Sequence, residues 1–199
     1  MIYKLFAVSF VVCVALFNLQ VNNSHAVIID LSNDDIAEAI EYGKGNRRVT
    51  LTDFTKAWDV RLGRDIGWAT LYTGFHNLAF KARKACIEHK ELTQDEVTHA
   101  LEIGKELTFT ATILGNSRDF AAEYHAMLKV GDKFVAPIFE FAPEIAETSE
   151  YWPDQPVSIA GCVYKFPIEG VGENALVTLI LKPFDGDVLE FPFDLSAMK

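Results

Sequence analysis

Residues 106–115 read ELTFTATILG, and this alternation constrains the chain more than any other feature. Leu107, Phe109, Ala111 and Ile113 fall on one side of an extended chain and Thr108, Thr110 and Thr112 on the other, a period of two that only a half-buried strand satisfies. Before this point the apolar residues recur at helical spacing; after it they alternate. The sequence therefore predicts an α+β protein in which a helical part, residues 27–105, precedes an antiparallel β-rich part, residues 106–199.

Within the first part, Ser32 with Asp35 three residues on predicts a helix start. Ile36, Ala39 and Ile40 supply one apolar face, and Gly43 is the expected stop. Residues 43–67 lose all periodicity and are expected to form an irregular loop anchored by Phe54, Trp58 and Val60. A short strand follows at 68–72. Thr73 then caps a helix whose stripe is Phe75, Leu78, Ala79, Ala82 and Cys86, and the TQDE box at 93–96 opens another that ends at Gly104. About three helices are expected in all.

In the second part, AEYHAMLKVGDKFVAPIFEF predicts a hairpin around Gly131-Asp132. With Lys129 opposite Phe134, the residues Tyr124, Ala126, Leu128 and Val130 share a core face with Val135, Pro137, Phe139 and Phe141. Pro137 lacks an N–H, which favours a four-residue loop over a two-residue one. Further strands are expected at 157–166, 175–182 and 188–195. About six antiparallel strands in this arrangement predict a sandwich of immunoglobulin-like type.

The first 26 residues have the form of an export signal: Lys4, an apolar run from Leu5 to Phe17, then a polar stretch ending in Ser24 and Ala26. The run is shorter than the roughly 20 residues that span a bilayer, so cleavage before Val27 and release are expected, with no membrane span afterwards. The destination is the periplasm or the exterior. Without Lys4 the chain carries 17 Lys and Arg against 28 Asp and Glu, a net charge of −11 that repels nucleic acid and anionic lipid.

Motifs for nucleotide binding, for serine or zinc hydrolysis and for cofactor attachment are missing from the mature sequence. No cofactor is expected. Cys86 and His89 lie three apart on a helix, but a metal needs further ligands and none stands near in sequence. Exported chains permit disulfides, so Cys86 and Cys162 are a candidate pair. His125 and Met127 project from one side of a strand and form a soft set suited to copper. The carboxylates Glu140, Glu144, Glu147, Glu150 and Asp154, and the Asp185-Gly186-Asp187 turn, read as a solvated acidic rim.

Arg47, Arg48, Lys56, Arg61 and Arg64 concentrate in the irregular loop, whereas residues 116–199 hold six bases against 14 acids. That polarity makes Arg47 and Arg48 the candidate partner contacts. The leading expectation is an exported, non-catalytic module that binds an unknown envelope protein. A copper-handling protein using His125 and Met127 is the alternative, and an enzyme with a carboxylate pair assembled from distant positions is a third.

Overall fold

The computed structural model describes residues 31–103, 106–172 and 174–198. The leader-like first 26 residues with the expected cleavage before Val27, and the expected helix stop at Gly104, lie outside them. The described residues form an α+β fold, with four α-helices and antiparallel sheets of six and four strands.

The helices are α1 (Asn33–Gly45), α2 (Leu51–Thr55), α3 (Gly74–Ile87) and α4 (Gln94–Ile103). Local chemistry starts each of them. Ser32 and Asp35 form a complete capping box, Thr50 accepts from the Asp53 N–H, Thr73 from the His76 N–H, and Thr93 exchanges bonds with Glu96. The end of α3 separates Cys86 from His89. His89, just beyond the C-cap Glu88, takes a left-handed φ of 56°, and the Lys90 N–H closes on the Ala85 carbonyl at 2.9 Å, so His89 turns off the helix axis.

Gly43 does not stop α1, which runs on to Gly45. It is instead the point where α1 touches α3: a Cβ at Gly43 would lie 2.1 Å from the Ala79 carbonyl oxygen and 2.9 Å from the Arg83 nitrogen. The stripe that predicted α1 is thus continued by a residue chosen for having no side chain. The segment expected to be irregular also orders itself. Phe54 and Trp58 are each 1% exposed, and burying them folds α2, a 3₁₀ turn and strand β1 (Asp59–Gly63).

The larger sheet contains β1, β2 (Gly67–Tyr72), β3 (Leu107–Gly115), β8 (Ser158–Phe166) and β6 (Phe139–Phe141) in that order, with β7 (Glu147–Thr148) also pairing β8. The smaller has the order β10 (Leu189–Asp194), β9 (Leu176–Lys182), β4 (His125–Val130), β5 (Lys133–Val135). Strands β1 and β2 come from before residue 106, so the larger sheet draws on both parts of the sequence. One apolar core joins the helices to both sheets, and Phe109 of the larger sheet meets Phe193 of the smaller at 5.1 Å between ring centres.

Two hairpin expectations change. Val130 pairs Lys133, so the loop is the two-residue Gly131-Asp132 turn with Gly131 at φ 59°, and Lys129 does face Phe134. The missing donor of Pro137 costs nothing, because β5 ends at Val135 and the chain crosses to the other sheet. There Phe139 and Phe141 pair Lys165 and Val163 of β8 and stand exposed, not in the core.

An aromatic box joins helices to sheets. Trp58 and Tyr72 lie 4.5 and 4.8 Å from the His76 ring, and Phe54 and Phe80 lie 6.3 and 6.5 Å away. His76 is 1% exposed, and neither ring nitrogen has a hydrogen-bond partner among the described residues. Burial lowers its pKa to about 4 and holds it neutral.

Two outcomes follow from this packing. Gly43→Ala should destabilise the protein by about 2 kcal/mol in urea unfolding, because backbone on both helices must move, whereas Gly45→Ala should change stability by less than about 0.5 kcal/mol; nothing lies within 4 Å of a Cβ at Gly45. Below pH 6.5 the unfolded chain protonates His76 and the native state does not, so its contribution is full above 6.5 and is lost as pH falls towards 4. The loss of stability between pH 7 and 4.5 should be smaller by about 2–3 kcal/mol in His76→Phe than in the parent.

Candidate functional site

The register of the larger sheet decides what its outer face presents. Facing inwards, Ala69, Leu71, Phe109, Ala111, Cys162 and Tyr164 are buried. Facing outwards, Arg61 pairs Trp68, Trp68 pairs Thr112, and Thr112 pairs Gly161. The neighbouring row is Asp59, Thr70, Thr110, Val163 and Phe141, and a third is Leu114, Ile159 and Glu147. A row that crosses from β1 to β6 or β7 takes four strand spacings, about 19 Å.

The floor of this face is small. Thr110 and Thr112 are half-buried, and a Cβ at Gly161 would meet nothing within 4 Å. Its margins are large. At the β6 edge, Phe141, Pro143, Ile145 and Glu147 surround a hollow of about 470 Å³ over Ile159 and Gly161. At the β1 edge, Arg61, Arg64, Trp68, Glu150 and Tyr151 line a second hollow of about 390 Å³.

Both margins are held by specific contacts. The Asp59 carboxylate, 2% exposed, accepts from Thr70 Oγ1 at 2.6 Å, Arg61 Nη2 at 2.9 Å and Thr55 Oγ1 at 3.1 Å. That fixes the Arg61 guanidinium 5.1 Å over the Trp68 ring. On the far wall, Ser149 Oγ donates to the Pro156 carbonyl, the Ser149 N–H to the Val157 carbonyl at 2.9 Å, and Tyr151 Oη reaches the Arg64 carbonyl at 2.9 Å. The 149–157 loop is thereby tied to the β1–β2 turn across the sequence. At the other edge, Glu140 points inwards and accepts from the Ala126 N–H at 3.0 Å, a donor left without a strand partner because β5 stops short.

The side chains singled out in the sequence are dispersed. Arg47 and Arg48 are exposed in the turn after α1, where Arg47 Nη1 donates to the Lys44 carbonyl at 3.1 Å. Cys86 and Cys162 are not brought together and both are free: Cys162 faces the space between the sheets, and Cys86 lies twelve residues along α3, about 18 Å from its start. His125 and Met127 share the outer face of β4 as expected, with His125 Nδ1 3.8 Å from Glu140 Oε1. Among the described residues no three His, Cys, Asp or Glu side chains cluster to hold a metal ion, and no helix is long and apolar enough to cross a membrane.

The carboxylates whose pKa departs from the ordinary range, Glu88, Glu96 and Asp119, all move down, through hydrogen bonds from Lys90, Thr93 and Ser117 respectively. Trp68, Thr112, Phe141, Ile145, Tyr151 and Gly161 were not candidates in the sequence. The threonine alternation reads as a solvated side, and only cross-strand register reveals which aromatic residues flank it.

No protein-family model matches the chain, and no curated protein matches it. The fold is similar to the crystal structure of a protein of unknown function from Burkholderia pseudomallei, with 15% identity over 84% of this chain and 94% of that one and a TM-score of 0.44.

The placement of the thiols makes a direct prediction. Cys162 is 0% exposed and burial raises its pKa, whereas Cys86 lines an open hollow between α1 and α3. Iodoacetamide without reductant should label Cys86 in the native protein and Cys162 only in denaturant, as mapped by mass spectrometry. Protection of both in denaturant would show a bridge.

Proposed function

We propose that this chain is an exported, non-catalytic protein-interaction module of the cell envelope, and that it docks its partner on the outer face of the larger sheet. Export rests on the leader-like first 26 residues. The reading of residues 106–199 as an immunoglobulin-like sandwich belongs to this proposal, with β1 and β2 as additions to one sheet.

One observation carries the docking surface. Phe139, Phe141 and Ile145 are 48%, 50% and 65% exposed on or beside edge strand β6, and Phe141 and Ile145 line the same hollow. Scattered apolar side chains on a surface need no explanation, but three along one edge beside a small-residue floor match the composition of an interface core. An edge strand with exposed aromatic residues is also a liability for a monomer unless something covers it. Glu144 and Glu147 supply a polar rim.

The test is capture from envelope extracts with immobilised parent protein, followed by affinity measurement on the captured partner. Phe139→Ser, Phe141→Ser, Ile145→Ser should weaken binding by at least about 30-fold, as the loss of a central apolar anchor does. Reversal of charge at Arg47 and Arg48 measures the other candidate surface. A partner that ignores the β6 triple variant and responds to the arginine reversal would move the interface to the α1 turn.

A further inference from the structure

At the opposite end of the same face stands a site of different chemistry. The molecule is strongly acidic, yet Arg61 and Arg64 both line one hollow of about 390 Å³ between the β1–β2 hairpin and Glu150 and Tyr151. That volume lies within the range of small-molecule sites. From this geometry we infer that the hollow binds a small carboxylate carried on a flat apolar body.

Three features select that ligand class. The Arg64 guanidinium makes no ion pair or hydrogen bond among the described residues, whereas Arg61 is committed to Asp59. Arg64 is therefore the free fork, a planar set of donors that matches a carboxylate. Leu62, Trp68 and Tyr151 supply apolar wall on the remaining sides, which favours a flat hydrocarbon body over a bare ion. Both walls are held in place before any ligand arrives, because Tyr151 Oη is bonded to the Arg64 carbonyl and the Arg61 stack orients Trp68. Little ordering is then required on binding. Glu150 also lines the hollow and forms no ion pair with either arginine, so its charge opposes an anion and limits the affinity.

The site is independent of the β6 docking surface. Its test is titration of the full chain with 2-naphthoate, followed by the indole Nε1–H resonance of Trp68, assigned by its loss in Trp68→Phe. Saturable shifts are expected. Arg64→Gln should weaken binding by at least about tenfold, the loss of a charge-assisted hydrogen bond, while Arg47→Gln leaves it unchanged. Glu150→Gln should tighten it. Neutral 2-naphthol and inorganic phosphate should each bind at least about tenfold more weakly than 2-naphthoate, since each lacks one of the two features the hollow offers.

Equal binding of 2-naphthol would overturn the carboxylate requirement, and equal binding of phosphate would overturn the flat body. Unchanged affinity in Arg64→Gln, with the rest of the spectrum preserved, would remove the site. None of these results bears on partner capture at β6, and loss of the partner interface leaves this titration unaffected.

Discussion

The antiparallel ladder between β3 and β8, nine residue pairs from Leu107–Phe166 to Gly115–Ser158, orients the rest of the molecule. Burying Phe109, Ala111, Cys162 and Tyr164 against the smaller sheet fixes the phase of both strands. A period of two leaves no freedom after that: Thr110, Thr112, Gly161 and Val163 must face the other way. The outer face is thus small and hydroxyl-bearing at its centre because the inner face is large and apolar. Bulk returns only where strands meet loops, at Trp68 and Tyr151 on one margin and at Phe141 and Ile145 on the other. The two hollows sit at those margins, where tall side chains border a low floor.

The helical layer is built on a different principle, close backbone approach rather than alternation. Gly43 lets α1 touch the Ala79 and Arg83 backbone of α3, and Tyr42, its neighbour, packs against Phe54, Trp58 and Phe75 at 5.6–6.0 Å. His76 completes this cluster as a neutral ring. A polar side chain without partners in such a place opposes folding, and the surrounding aromatic area offsets it above pH 6.5. The same aromatic anchors hold α2 and β1, so the hairpin that carries Arg61 and Trp68 depends on the helical core.

What the sequence made legible was local. Ser32, Thr73 and Thr93 declare helix starts because a cap acts within three residues, and ELTFTATILG declares a strand because its own alternation suffices. The opposition of Lys129 and Phe134 was also readable, since a hairpin's partners are close in the chain. Phe139 and Phe141 were misplaced for the converse reason. Alternation says that they share a side, but the crossing at Pro137 changes which sheet they join, and their partners on β8 are over twenty residues away. Strand β1 was hidden by its half-exposed pattern, and the rows that define the binding face are sums of three such non-local registers.

Charge and burial together explain why the two margins differ. Residues 116–199 carry 14 acids against six bases, and Glu144 and Glu147 stand beside the apolar β6 edge, where they keep an exposed patch soluble. Arg61 and Arg64 stand at the hairpin margin, and there Asp59 is spent inside the sheet on Thr70, Thr55 and Arg61. A buried carboxylate that neutralises one arginine while orienting it on Trp68 leaves the second without an ion pair among the described residues, with Glu150 the acid that shares its hollow. Arg64 therefore carries the local positive potential against the field of the whole protein, and that potential is short-ranged, falling off over about 8 Å at physiological ionic strength. An anion held there is selected by contact at the hollow, not by attraction from a distance.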